Sequence, residues 1–128
     1  MNTPRHTKTI ATVTVVYAAL ILAYSWPLPA NLRSVAHDPG DPILNAWILW
    51  WTTQAVPLSA QWWSAPIFVP ATGTLAFSEH LLGLAPVAAP LIALTGDALF
   101  GYNVTLLATY LFSALGGYFL GFTLTRRH

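Results

Sequence analysis

The stretch FGYNVTLLATYLFSALGGYFLGFTLT, residues 100–125, decides the fold of this chain. It contains no charged residue, and Arg126 and Arg127 follow it directly. An α-helix needs about 20 mostly apolar residues to cross the hydrocarbon core of a bilayer. The stretch therefore predicts a transmembrane helix over residues 100–125.

The same stretch carries two short patterns that bear on its partners. Ser113, Gly117 and Gly121 recur at every fourth position. Small residues at this spacing let another transmembrane helix approach closely, so we expect other transmembrane helices as partners. Residues 103–105 match a glycosylation sequon, but they open a helix near the membrane, and we do not expect them to be modified.

A second apolar run covers residues 10–26, follows a short basic start and ends at Pro27. It predicts a first transmembrane helix, with Trp26 at the membrane interface. A cleaved signal peptide is the alternative, because it has the same basic start and apolar core. We favour the uncleaved helix, since Trp26 and Pro27 follow Tyr24 where small residues would mark a cleavage site.

The composition agrees with a membrane protein. Hydrophobic residues make up 55% of the 128, and charged residues only 7%, against about 25% in soluble domains. The formal net charge of +1 gives no electrostatic reason to expect nucleic acid as a partner. The chain has no cysteine, which excludes disulfides and thiolate chemistry. We predict an all-α integral membrane protein with membrane lipid around its helices.

Residues 31–99 form a long loop between the two predicted spans. A helix is predicted over 42–55, with Asp41 as its N-cap, and its aromatic face should lie in the membrane interface or pack on other helices. A second helix is predicted over 79–94, capped by Ser78, while the Pro-rich segment between the two helices should be irregular. Both would be juxtamembrane helices of one membrane domain.

Charge near the helix ends orients the chain. Arg5 and Lys8 precede the first span, and Arg126 and Arg127 follow the second. Basic residues stay on the cytoplasmic side, so both termini should be cytoplasmic and the loop extracytoplasmic. The helix over 79–94 must then lie along the outer face without crossing.

Few loop residues can carry chemistry. Asp38 and Asp41 follow the first span at the membrane surface, where a carboxylate could act as a general base or bind a metal beside a lipid phosphate. The alternative is structural, with Asp38 in a turn and Asp41 as a helix cap. Glu79 and His80 could contribute one ligand to a divalent cation or a hydrogen bond to a phosphate, or they could simply open a helix. Arg33 could contact a phosphate or solvate the loop.

The order of these features resembles a known family. The resemblance runs from about Ile10 to Arg127 and rests on HDPGDP (37–42), NAW (45–47), PIFVP (66–70), LAFSEH (75–80) and GYN (101–103) before a Gly-rich helix. The chain resembles the N-terminal region of large bacterial proteins of the GT-C glycosyltransferase superfamily. These are grouped with protein mannosyltransferases and lipid A aminoarabinose transferases.

The resemblance implies an activity and a site. It implies transfer of a sugar from a polyprenyl-phosphate donor to an acceptor outside the bacterial inner membrane. Asp41, or second Asp38, would be the catalytic acidic residue of the first outer loop. The juxtamembrane helices, with Trp47, would form part of the donor pocket. Glu79 and His80 would touch the donor phosphate or a divalent metal cation.

The resemblance also implies that the chain is a fragment, because members of that superfamily have many more spans. Two alternatives to a transferase remain open at this point. One is a non-catalytic multispanning protein, such as a transporter or assembly component. The other is an inactive truncated product.

The orientation can be tested with cysteines, since the chain has none of its own. We expect Thr7→Cys and Thr125→Cys to react with a membrane-impermeant thiol reagent only after cells are permeabilised. Ser34→Cys should react in intact cells. Reaction of Thr7→Cys and Thr125→Cys on opposite sides would contradict the two-span hairpin.

Overall fold

The computed structural model describes residues 3–38 and 40–125. Throughout this part of the chain the regular structure is helical, with no strand. The elements are α1 (Thr3–Tyr24), a 3-10 turn (Leu28–Ala30), α2 (Asp41–Trp51), α3 (Ala60–Trp63), a second 3-10 turn (Thr74–Phe77), α4 (Ala85–Thr95) and α5 (Ala98–Thr125). Arg126 and Arg127, on which the predicted orientation partly rests, lie outside the described residues.

Two helices are long and apolar enough to cross a membrane, namely α1 over Thr7–Tyr24 and α5 over Ala98–Thr125. The share of these segments buried within the chain is 0% for α1 and 6% for α5. Neither segment hides its apolar residues within the described part of the chain. Helices that are apolar all round need another apolar environment.

The contacts divide the chain into two units. Unit 1 comprises residues 1–30 and 106–128, and unit 2 comprises residues 31–105. In unit 1, Ala18, Ile21 and Leu22 of α1 line a narrow apolar groove of about 190 Å³ together with Leu107, Ala108 and Leu111 of α5. Gly117 and Gly121 have open space where a Cβ would be. The small-residue face of α5 is thus unfilled by the described chain.

Unit 2 has a core built on tryptophan. Trp62 is fully buried with Ile48 and Leu75 in one cluster, and Leu49 packs with Ile92 in a second. The half-buried Trp47 and Trp51 pack on the first cluster and Trp50 on the second. The aromatic face of α2 therefore packs inside the chain, which was one of its two predicted places.

The predicted end of α2 at residue 55 was wrong by four residues, since the helix ends at Trp51. The hydroxyl of Thr52 donates to the carbonyl oxygen of Leu49 at 2.6 Å, and that of Thr53 donates to Trp50 at 2.7 Å. Threonine side chains that bond the last carbonyls compete with the next helical turn. The chain turns after them and leads to α3.

The segment before α4 was predicted as helix from residue 79, but α4 begins at Ala85. Leu81 has a φ of 50°, a left-handed conformation that a right-handed helix cannot contain. The predicted cap is also wrong, because the Ser78 hydroxyl donates to the Glu79 carboxylate instead. The predicted end is close, since Gly96 adopts φ 69° after Thr95 and closes α4 as a left-handed cap.

The segment predicted as irregular contains one short helix and one 3-10 turn. Ser59 accepts a hydrogen bond from the Trp62 N–H and caps α3. The Trp51 indole N–H donates to the Trp62 carbonyl oxygen at 2.9 Å, which fixes α3 against α2. The buried hydroxyl of Thr74 donates to the Ala65 carbonyl oxygen at 2.7 Å.

Asn103 ties the start of α5 to the beginning of unit 2. Its side-chain amide donates to the carbonyl oxygens of Leu32 and Val35, both at 2.8 Å. Asn103 is fully buried, and the Thr105 hydroxyl donates to Gly101. The sequon at 103–105 is therefore built into the fold and inaccessible to a glycosylating enzyme.

Gly101 is where α5 comes closest to α4. A Cβ at this position would overlap Cγ1 of Ile92 and lie 3.4 Å from the carbonyl oxygen of Ala88. Cγ1 is in the middle of a fully packed side chain, so it cannot swing away cheaply. Only glycine allows this helix contact without moving one of the helices.

We predict that Gly101→Ala destabilises the chain by about 1–3 kcal/mol, the usual cost of overpacking. Gly117→Ala is the matched control, since it makes the same change in the same helix where space is open. Both variants gain helix propensity when glycine becomes alanine. The difference between their free energies of unfolding therefore isolates the clash with Ile92. Reversible unfolding of the detergent-solubilised chain would measure it, and equal stability of the two variants would contradict the packing.

Candidate functional site

The two aspartates before α2 have different surroundings. Asp38 accepts a hydrogen bond from the Gly40 N–H at 2.8 Å, so it shapes the turn, as its structural alternative predicted. Asp41 was predicted as the N-cap, which is wrong. Gly40 holds that position, Asp41 is the first helical residue, and no side chain caps α2. Asp41 is exposed, and its carboxylate has no hydrogen bond or ion pair with the side chains described, those of residues 7–38 and 40–125.

Asp97, in the loop between α4 and α5, organises the start of α5. Its carboxylate accepts a hydrogen bond from the Phe100 N–H at 2.8 Å, which is N-cap geometry. It also pairs with Arg33 at 3.7 Å. The Arg33 guanidinium lies 4.9 Å from the centre of the Phe100 ring. An Asp directly before an apolar helix is a cap signal, and it could have identified this residue.

Arg33 remains able to bind an anion despite these contacts. Its side chain is 62% exposed, and an exposed ion pair contributes little to stability. An arginine carries five N–H donors, more than one carboxylate uses. The predicted contact with a phosphate is thus compatible with where Arg33 lies.

Trp47 borders an apolar groove of about 520 Å³ in unit 2. Its ring stacks on Trp51 with 6.1 Å between ring centres and 7° between planes, which limits its movement. The groove opens between one face of α2 and the turn from α4 into α5. It is lined by Ile43, Ala46, Trp47, Trp50, Gly96, Ala98 and Leu99. Such a surface suits an apolar ligand chain.

Glu79 and His80 lie in the coil before α4. Their predicted role in opening a helix is wrong, since α4 starts at Ala85. The His80 ring is 5.8 Å from Trp63 and 6.0 Å from Trp62, centre to centre, and its Nδ1 accepts the Leu82 N–H. Hydrogen bonds from its own backbone N–H and from the Ser78 hydroxyl lower the pKa of the exposed Glu79 carboxyl.

The predicted divalent cation would have few ligands among the described residues. No group of three or more His, Asp or Glu side chains that could hold a metal occurs among them. Glu79 offers one carboxylate that is already bonded by Ser78, and His80 uses Nδ1 on the backbone. The structure brings Arg33 together with Asp97, but no hydrogen bond or ion pair in its described part joins Asp41 to Glu79.

These features define a class, an all-helical chain with two candidate membrane spans and a Trp-rich helical unit between them. Neither a family model, nor a curated protein, nor a solved structure matches this chain.

The pKa of Glu79 can be followed directly, because it is the only glutamate in the chain. We predict that Ser78→Ala raises the Glu79 pKa toward its ordinary value, since one donor to the carboxylate is lost. The backbone N–H remains, so the return should be partial. The carboxyl ¹³C shift of labelled glutamate, recorded against pH, gives the pKa.

Ser64→Ala is the matched control, because Ser64 accepts from the Gly73 N–H and does not touch Glu79. An unchanged Glu79 pKa in Ser78→Ala would contradict the hydrogen bond. The lowered pKa of Glu79 also makes the stability of the fold depend on pH. A lowered carboxyl pKa stabilises the fold above the unfolded-state pKa, and this contribution disappears as the pH falls through the folded-state pKa.

Proposed function

We propose that this chain is an integral membrane protein and the N-terminal part of a GT-C type glycosyltransferase. It would move a sugar from a polyprenyl-phosphate donor to an acceptor on the extracytoplasmic face of the bacterial inner membrane. Unit 2 would be the extracytoplasmic loop, with both termini cytoplasmic. The apolar, unburied α1 and α5 support insertion, and the family resemblance supports the activity.

The observation that carries the catalytic proposal is the state of Asp41. With Gly40 as the N-cap, the Asp41 carboxylate makes no hydrogen bond or ion pair among the described residues. The N-terminus of α2 favours negative charge beside it. An exposed carboxylate with no structural partner can reach a substrate hydroxyl, which is what a general base requires.

The proposed reaction is a single displacement with inversion. The acceptor hydroxyl oxygen forms a bond to the anomeric carbon as the bond from that carbon to the phosphate oxygen breaks. The electron pair of the broken bond leaves with the polyprenyl phosphate. Asp41 takes the proton of the attacking hydroxyl, so charge and atoms balance.

The remaining predicted residues would bind the donor. The groove bordered by Trp47 would take apolar atoms of the polyprenyl chain. Arg33, which pairs with Asp97 between the groove residues Gly96 and Ala98 in sequence, would bind the donor phosphate. Arginine suits phosphate because its planar donors bind two oxygens at once.

We predict that Asp41→Asn lowers sugar transfer by at least about 100-fold, the usual contribution of a general base. The assay is transfer of radiolabelled sugar from polyprenyl phosphate in proteoliposomes containing a full-length enzyme that carries this N-terminal part. Asp38→Asn is the matched control, because an asparagine oxygen can still accept the Gly40 N–H. It should retain most activity.

Two results would overturn the proposal at different levels. Full transfer by Asp41→Asn would remove Asp41 as the base. Absence of transfer by the unsubstituted full-length enzyme, inserted and folded, would overturn the proposed activity.

A further inference from the structure

Unit 2 carries a compact apolar patch on its surface, formed by Phe68, Val69 and Phe77. Their exposed fractions are 65%, 78% and 65%. The rings of Phe68 and Phe77 lie 6.3 Å apart, centre to centre, so residues distant in sequence form one surface. We refer to these three residues as the phenylalanine patch.

One residue of the patch, Phe68, has a strained backbone conformation. Phe68 has a φ of 56°, in the left-handed region that bulky residues rarely adopt. Such conformations persist where the surrounding structure imposes them, and they cluster at functional sites. Phe68 combines this strained backbone with an exposed ring. A drive to bury apolar side chains would have placed that ring inside the unit.

We propose that the phenylalanine patch inserts into the lipid headgroup region of the membrane that α1 and α5 cross. This inference rests on the proposed membrane insertion of the two helices. The occupant is a lipid surface because the chain of unit 2 continues at both ends into a candidate span. Large rings are the side chains that settle at this depth.

The distribution of charged residues favours contact with a lipid surface over contact with another protein. Between Asp41 and Glu79 the chain has no Asp, Glu, Lys or Arg. Charged side chains are costly to place in lipid, and a segment that approaches it should lack them. Protein interfaces ordinarily surround an apolar centre with a polar rim.

Spin labels on single cysteines test the depth of the patch, and the cysteine-free chain provides a clean background. The labelled full-length chain is reconstituted in vesicles of phosphatidylethanolamine and phosphatidylglycerol. Collision rates with oxygen, which concentrates in lipid, and with a water-soluble nickel chelate are then compared. We expect labels at Val69→Cys and Phe77→Cys to favour oxygen several-fold over the control Gln61→Cys, an exposed polar position of α3.

A label at Phe112→Cys separates failure of the patch inference from failure of the proposed membrane insertion. Phe112 lies in α5 and is 63% exposed. If Phe112→Cys favours oxygen while Val69→Cys and Phe77→Cys match Gln61→Cys, the patch is in water and the inference fails alone. If Phe112→Cys also favours the nickel chelate, membrane insertion itself fails. If the patch labels are shielded from both reagents, with spectral broadening relieved by unlabelled chain, a second copy covers the patch and the inference is overturned.

Discussion

The buried amide of Asn103 closes unit 2, and the arrangement of the helices between its ends depends on that closure. Its two N–H donors hold the carbonyl oxygens of Leu32 and Val35, 71 and 68 residues away in sequence. In dry surroundings an unpaired carbonyl is expensive, so these bonds are hard to give up. With the ends joined, Gly101 stands directly against Ile92, and α4 is packed between α5 and α2.

The tryptophans of α2 show how an aromatic run can mislead about the membrane. Rings at this density suggest a face lying in lipid, yet Trp47, Trp50 and Trp51 all pack within unit 2. They can do so because α2 lies between two clusters, one around Trp62 and one with α4. Part of the apolar surface left exposed comes from the Pro-rich segment, as at Phe68 and Val69, where no periodicity marks it. Packing, and not aromatic content, decides which apolar residues stay outside.

The predictable part of this fold is the part that depends on local sequence. The start of α5 and the end of α4 at Gly96 follow from apolar length and a glycine cap, and both were predicted closely. The start of α4 depends on the left-handed conformation of Leu81. The helix propensity of leucine does not predict that conformation. The pairing of Arg33 with Asp97 joins residues far apart in sequence, so only the fold brings it about.

The contacts of the four carboxylates of the chain indicate which of them is available for chemistry. Asp38 accepts a backbone N–H, Glu79 accepts a hydroxyl, and Asp97 caps α5 and pairs with Arg33. Each of these contacts gives its charge a structural reason. Asp41 has no such contact among the described residues, and Gly40 already occupies the cap position. A chain with only 7% charged residues keeps few charges without a use near lipid. The N-terminus of α2 favours the charge of Asp41, and a substrate hydroxyl would give its carboxylate a hydrogen-bond partner.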